Sequence, residues 1–350
     1  MPTSELFVLN LNPHFTGVSA TAGNVMRQHL DRYAVQLVGH PLPGLPAPIG
    51  VLRAVIASRG KRARVAIWHT RRNGEMQMAL LARDVLRLPI RIVHTTVAMR
   101  KSSGWSRYLM SKMDAIIAVT DQAASFAPNV WAVVPHGVNC DDFRPAADRA
   151  ALWAALGHGG LRGLAAVGRV RPEKGTDVFV DAMIQALPDL PDVVALVVGL
   201  TQKRFAPFQA ELQARIDAAG LSGRIKFIGE IAPEKLTELV PALSLVVPLP
   251  RYEGFGMTPL EAMAAAVPIV ASDAGFFREF VGGDIAGRVV AIGDAKAAAL
   301  AVKELLCSPA AYDRAAAGAV ARARGAFGIA READAIAQVY ERLWSGEVRR

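Results

Sequence analysis

Short, uninterrupted apolar runs punctuate the whole chain, and between them apolar residues recur at helical spacing. In the first half the runs are LFVLNLN, VQLVGH, VAIWH, IRIVHTT, AIIAV and VWAVV; in the second they are LAAV, VVALVVG, RIKFIG, LSLVVPL, PIVAS and GRVVAI. A strand with one face in water alternates polar and apolar residues. These runs do not, so each is expected to be covered on both faces. Strands of that kind joined by helices make parallel sheets with helices above and below. The expected fold class is α/β with two doubly wound halves, since 350 residues exceed the usual size of one core and 52% hydrophobic content supplies two.

The organisation follows from where this pattern lapses. In PHGVNCDDFRPAAD, Pro135 to Asp148, turn residues and charges replace apolar periodicity, which reads as a linker. The expected domains are residues 1–145 and 146–328, followed by a C-terminal segment 329–350 whose helix runs from Ile329 to Trp344. The only two cysteines, Cys140 and Cys307, have no CxxC or Cys/His spacing, which argues against a disulfide framework and structural zinc. The run LFVLNLN follows Ser4 and Glu5 without the basic start of a secretion signal, and no apolar stretch reaches membrane-spanning length. A reducing cytoplasm fits.

The densest chemistry lies in YEGFGMTPLEAMAAAV, Tyr252 to Val267. Gly254 and Gly256 permit positive φ and close backbone approach, so amide N–H groups can point at a ligand. Thr258 as N-cap, Pro259 at the first helical position and Glu261 three residues after the threonine make a capping box. A helix beginning there favours an anion, a diphosphate being the natural candidate. Glu253 is not needed for capping and suits a sugar hydroxyl. The plainer alternative leaves Glu261 as a cap and Glu253 as a solvated loop charge.

A second stretch, GRVRPEKGTDVFVDAM, follows the run LAAV and leads into an amphipathic helix. Arg169 and Lys174 therefore sit in a strand-to-helix loop, at the strand end where open α/β sheets bind ligands. Together they can hold a diphosphate, the guanidinium as a fork and the ammonium as a point charge. Without a ligand the same residues would make a basic surface turn. The lysine precedes the second glycine and no Gly-Lys-Ser/Thr follows, so the loop is not a P-loop.

The pairing of GRVRPEKG with EGFGMTPLEAMAAAVPIVASDAG, with PHGVNCDDFRP upstream, resembles the retaining GT-B glycosyltransferases of family 4, and within them the bacterial lipopolysaccharide core mannosyltransferases. The resemblance implies two Rossmann-like domains facing a central cleft, acceptor side first, with the last helix packing back on the N-terminal domain. It makes Arg169 and Lys174 the diphosphate-binding cations, Glu253 the contact to the transferred sugar and Glu261 the contact to the ribose. The backbone of Gly254, Phe255, Gly256, Met257 and Thr258 becomes the phosphate and sugar cradle. Ile231, ending FIGEI, becomes the nucleobase contact, Gly17 a glycine of the N-terminal loop, and His94 a residue near the anomeric centre. The implied reaction moves a hexose, mannose from GDP-mannose, onto a lipid A–Kdo acceptor with retention. A UDP-sugar donor with another glycolipid or glycan is the alternative.

His94 ends the run IRIV, and a histidine there is as readily structural as catalytic. Among the seven histidines its strongest competitor is His69, which ends VAIWH just before Arg71 and Arg72. No Asp-x-Asp occurs in the chain, so no metal cofactor is expected and Arg169, Lys174 and the helix start are left to neutralise the diphosphate.

Charge is unevenly shared. Residues 1–150 carry 18 Lys plus Arg against 9 Asp plus Glu, which accounts for the whole formal net charge of +9. Within them MRKSSGWSRYLMSKM, Met99 to Met113, interleaves basic residues with Trp105 and Tyr108. That suits an anionic membrane surface, giving a peripheral protein on the cytoplasmic face of the inner membrane, or else an ordinary half-buried helix with a basic face. Nucleic-acid binding is not expected, because no recognition motif accompanies the charge. A nicotinamide enzyme would need GxGxxG after the first strand, and NPHFTGVSA does not supply it. A non-catalytic nucleotide-sugar-binding protein would share the same residues, and turnover separates the two.

Overall fold

The computed structural model describes residues 4–59, 64–98 and 102–346. The chain divides into two compact units, one running to Gly137 and resuming at Phe327, the other Val138–Ala326. The first contains β1 (Leu6–Asn10), α1 (Gly17–His29), β2 (Val35–Gly39), α2 (Val51–Ser58), β3 (Ala66–Thr70), α3 (Asn73–Leu80), β4 (Ile90–Thr96), α4 (Gly104–Ser111), β5 (Ala115–Ala118), α5 (Asp121–Phe126) and β6 (Val130–Val133). Its sheet is parallel throughout, in the order β2-β1-β3-β4-β5-β6. Along β1, Leu6 and Val8 enter one core cluster while Phe7 and Leu9 enter another on the opposite face. Both sides of the pleat are buried, which is why the strand sequences show no polar alternation.

The second unit contains α6 (Arg149–Leu156), β7 (Arg162–Val167), α7 (Thr176–Ala186), β8 (Val193–Val198), α8 (Ala206–Ala218), β9 (Ile225–Gly229), α9 (Pro233–Ala242), β10 (Leu245–Val246), α10 (Met257–Ala264), β11 (Ile269–Ser272), α11 (Phe277–Val281), β12 (Gly287–Val290), α12 (Ala295–Cys307) and α13 (Pro309–Ala326). Its sheet runs β12-β11-β10-β7-β8-β9, again parallel. Read from the other edge, this is the strand order of a dinucleotide-binding sheet. Each sheet thus has one point where the strand order reverses, between β1 and β3 in the first unit and between β7 and β10 in the second. Loops leaving the carboxyl ends of those strand pairs diverge and open a crevice there.

The last helix, α14 (Ile329–Trp344), belongs to the first unit. Ile329, Ala333, Ile336, Tyr340 and Leu343 recur at helical spacing and are buried. All but Ala333 join the core cluster of α1 and one face of the first sheet. Buried Glu332 accepts the Gly137 N–H at 2.7 Å and meets His136 Nδ1 at 2.8 Å. The first crossing between units therefore falls at Gly137, inside Pro135–Asp148, and the boundary expected after residue 145 lies within the second unit. The contact to Glu332, formed across 195 residues of sequence, ties Gly137 to α14, and local composition does not report it. Among the described residues no helix is long and apolar enough to cross a membrane.

Candidate active site

In the second unit the loops after β7 and β10 meet at the switch point. Gly175 holds φ +64°, and a Cβ there would lie 1.7 Å from the Leu249 carbonyl oxygen, so only glycine lets the Pro172–Lys174 turn press against the end of the β10 segment. Arg251 completes the join. Its N–H donates to Glu173 O at 3.0 Å, its Nη1 donates to Pro172 O at 2.6 Å, and its guanidinium forks onto Asp177 at 2.8 and 2.6 Å. Held this way, Lys174 Nζ donates to Glu253 Oε2 at 2.6 Å, and the Gly254 N–H donates to Glu253 Oε1 at 2.9 Å. Both Glu253 oxygens are thus bonded within the loop. Arg169 is exposed. Arg171, beside it, is half-buried, and its Nε is enclosed without a hydrogen-bond partner.

The helix start differs from the sequence expectation. Gly256, at φ 95° and ψ 83°, takes the cap position, and a Cβ there would strike the Phe277 ring at 2.2 Å. α10 begins at Met257, so Thr258 sits inside the first turn and is not the N-cap. Because a cap without a side chain covers no N–H group, this helix terminus stays open for an anion. Thr258 and Glu261 are still hydrogen-bonded, but within the helix. Burial pushes the Glu261 carboxyl up to about 7, against the opposing effect of that bond. The Phe255 side chain is buried against Phe276 and Phe280, at ring distances of 5.1 Å each, and leaves only its backbone for a ligand. Ile231 is half-buried just beyond β9, which lies at the edge of the sheet two strands from β7.

His94 lies on β4 of the first unit, beside Thr70 in the strand register. It is 4% exposed, and burial, then the Arg71 charge, drives it down to about 3, so it is neutral at physiological pH. The Thr70 hydroxyl donates to Val93 O at 3.2 Å and lies 3.0 Å from His94 Nδ1. The hydroxyl has a single proton, and Nδ1 donates to it or accepts from it according to the ring tautomer. His69 is the better-anchored histidine and the poorer candidate, because Tyr340 OH occupies its Nδ1 and Thr95 Oγ1 lies 2.7 Å from its Nε2. Gly17 is the first residue of α1, and a Cβ there would meet nothing within 4 Å. The protein itself therefore does not require glycine at that position.

Sequence reading missed the Arg251–Asp177 fork, since the two residues are far apart in the chain and each looks like an ordinary charge. It also missed Arg171. The sequence RVRPEK shows this arginine, but not that its Nε is enclosed.

Residues 159–322 match the family model described as glycosyl transferases group 1. The chain is 37% identical over 346 residues to the lipopolysaccharide core biosynthesis mannosyltransferase LpsB of Rhizobium meliloti, covering 97% of each. It is 39% identical over 343 residues to LpcC of Rhizobium leguminosarum, which bears the same description, covering 97% of this chain and 96% of the relative. The C-terminal domain of a group 1 glycosyl transferase (LpcC) from Francisella tularensis matches 55% of this chain and 100% of that domain, at 31% identity and TM-score 0.54. Anabaena HepE in complex with UDP and glucose superposes with TM-score 0.82 over 97% of this chain and 99% of its own, at 18% identity, which speaks for the fold. With near-full-length relatives at these identities and two doubly wound sheets of the GT-B kind, the chain belongs to the group 1 glycosyltransferase family.

Proposed function

We propose that this glycosyltransferase moves mannose from GDP-mannose to a lipid A–Kdo acceptor of the lipopolysaccharide core, with retention at the anomeric carbon. The observation that carries the reading is the similarity to two lipopolysaccharide core mannosyltransferases over 97% of the chain. The second unit's geometry supports a nucleotide-sugar donor. An incoming diphosphate competes with Glu253 for Lys174 and draws on Arg169 and the open N-terminus of α10. Glu253, relieved of the lysine, turns its carboxylate to the sugar hydroxyls, while Glu261 takes the ribose and Ile231 the base. The backbone of Gly254, Phe255, Gly256, Met257 and Thr258 lines the phosphate and sugar. Positive charge aimed at the departing diphosphate stabilises what develops as the glycosidic bond breaks. The acceptor then attacks from the same face, with the departing phosphate taking its proton. His94, neutral, serves the sugar as a hydrogen-bond partner, and Gly17, at the start of α1, is assigned with the donor-binding residues. The chain holds no Asp-x-Asp, and we assign no metal to the reaction.

Membrane association is part of this reading. On α4, Trp105 and Tyr108 are 55% and 53% exposed and stack at 5.6 Å, with Lys112 over the Tyr108 ring at 5.3 Å and Arg107 on the same helix. Exposed aromatics beside cations suit the headgroup region of an anionic bilayer on the cytoplasmic face. Met99, Arg100 and Lys101 of the same stretch lie outside the described residues.

The test is a thermal-shift panel of GDP-, UDP- and ADP-sugars followed by turnover with lipid A–Kdo, since a ligand that binds the native state raises its apparent stability. GDP-mannose is expected to stabilise the protein most and to be consumed. Preference for a UDP-sugar in both assays would overturn the mannose assignment, and binding without turnover would favour a non-catalytic binding protein.

A further inference from the structure

Two adjacent arginines follow β3 at the first sheet's switch point, and they are used differently. Arg72 is fully engaged. It donates to Asn10 Oδ1 at 3.2 Å, Glu75 Oε1 at 3.0 Å, Thr16 Oγ1 at 3.0 Å and Ser19 Oγ at 2.9 Å, so it braces the ends of β1 and β3 to the starts of α1 and α3. Arg71 is half-buried, and its Nη1 is enclosed with no hydrogen-bond acceptor. The charged groups around it are Glu75, Glu332 and Arg72, with Tyr340 adding a phenol. Neither carboxylate answers Nη1. Glu75 Oε2 accepts the backbone N–H groups of Arg71 and Arg72 at 2.7 and 3.1 Å, while Oε1 takes Arg72 and the Leu11 N–H. Glu332 is committed to His136 and Gly137. Tyr340 OH is taken by His69.

A buried cationic donor left without a partner is costly, and such costs persist where a ligand completes the site. The location agrees, because the crevice at a switch point is where doubly wound sheets bind ligands. His94 stands one strand over on the same edge, in register with Thr70, the residue before Arg71. We propose that Arg71 is an acceptor-specificity residue whose guanidinium receives an oxyanion of the acceptor, a carboxylate or a phosphate, next to His94. A planar fork matches either group with two parallel bonds. Burial presses the guanidinium below its ordinary value against the opposing effect of Tyr340, Glu332 and Glu75. This proposal deepens the lipid A–Kdo reading and rests on it for the identity of the acceptor.

The test combines kinetics with a binding measurement that needs no turnover. Wild type, Arg71→Lys and Arg71→Met are assayed with intact, dephosphorylated and carboxyl-reduced lipid A–Kdo, with circular dichroism to check folding. One of the two altered acceptors is expected to raise the wild-type KM about 10- to 100-fold, which is what losing one charged hydrogen-bond partner produces. Arg71→Met should show the same rise with intact acceptor and no further rise with that altered one, and Arg71→Lys should lie between. Which acceptor fails identifies carboxylate or phosphate. Separately, with GDP saturating the donor site, inorganic phosphate or acetate should shift the His94 ring NMR signals in wild type and not in Arg71→Met. If both altered acceptors keep the wild-type KM, or the anions shift His94 equally in Arg71→Met, the proposal falls. Should Arg71→Met not fold, the altered acceptors on wild type and the Arg71→Lys series decide it. Absence of turnover with every acceptor, alongside an intact anion effect on His94, would count against lipid A–Kdo and in favour of the Arg71 site.

Discussion

The two sheets have related topologies and dissimilar polar edges. At the β7/β10 switch point Lys174 is matched by Glu253 and Arg251 by Asp177, so two of the loop cations already have a carboxylate. At the β1/β3 switch point Arg72 is consumed in bracing, Arg71 keeps an unanswered Nη1, and the histidine beside them is neutral. The β7/β10 edge also keeps Arg171 Nε without a hydrogen-bond partner, so there one unanswered donor sits among cations already paired with carboxylates, which suits a ligand with an anionic and a hydroxylic part held close together. At the β1/β3 edge the unanswered donor, Arg71 Nη1, suits negative charge itself. The formal excess of positive charge lies within residues 1–150, on the side of Arg71.

The largest effect expected from this contrast is at Glu253. Glu253→Gln keeps the shape of the loop but removes the charge paired with Lys174, and kcat should fall on the order of 10²–10³-fold, as when one transition-state contact is lost. GDP affinity should hold or rise, because Lys174 no longer has an internal competitor. Isothermal titration together with steady-state kinetics reads both, and a large loss of GDP affinity with unchanged kcat would reverse the roles of the two glutamates.

Glu261→Gln comes next, expected to weaken GDP and GDP-mannose alike by roughly 10- to 100-fold, the loss of one charged hydrogen-bond partner. Unaltered nucleotide binding would leave Glu261 a helix-turn residue only.

The same glutamate and His94 push stability in opposite directions with pH. Folded Glu261 ionises near 7 against an ordinary 4.5, so between those values the folded state holds a proton the unfolded chain has released, and stability falls as pH rises through that window. Folded His94 titrates near 3 against 6.5, so between those values the unfolded chain binds the extra proton, and stability rises with pH through that window. Calorimetric Tm measured against pH should lose its falling arm in Glu261→Gln. Part of the rising arm should go in His94→Gln, since His69 and His29 are also lowered by burial. A Tm profile identical in all three proteins would show that neither burial governs ionisation.

A smaller effect is expected on membranes. Arg107→Gln with Lys112→Gln should weaken binding to anionic vesicles by about 1 kcal/mol per charge, roughly fivefold each, with donor binding unchanged. Raising the salt should weaken wild type in the same way. Vesicle binding equal to wild type would make α4 an ordinary surface helix. The smallest expected effect is none: on the proposal that loop cations and the α10 terminus carry the diphosphate, activity should survive EDTA. Loss restored by magnesium or manganese would show those cations misassigned.

Much of this was legible before any coordinates. Continuous apolar runs demanded two-sided burial, and Leu6, Phe7, Val8 and Leu9 divide between two core clusters as that requires. The glycine loop ahead of a helix, and cations in a strand-to-helix loop, were readable because each is confined to a single turn of chain. The capping box was misread at its first residue. Thr258 has the right chemistry, yet Gly256 in a left-handed conformation against Phe277 starts the helix earlier, and only packing of α11 against that turn decides it.

Sequence alone therefore determined the element types, the fold class and where candidate anion-binding residues stand relative to them, because periodicity and turn chemistry act over a few residues. Tertiary structure decided which of those residues are already satisfied. Lys174 meets Glu253, Arg251 meets Asp177 and Tyr340 meets His69 across separations of 79, 74 and 271 residues. Arg71 and Arg72 are chemically identical neighbours in the chain, and only the order of the strands places Asn10, Thr16 and Ser19 around one and leaves Nη1 of the other unanswered. A hydrogen bond depends on where its partner's atoms lie, and at a sheet edge that position is set by strand order, which no local pattern encodes.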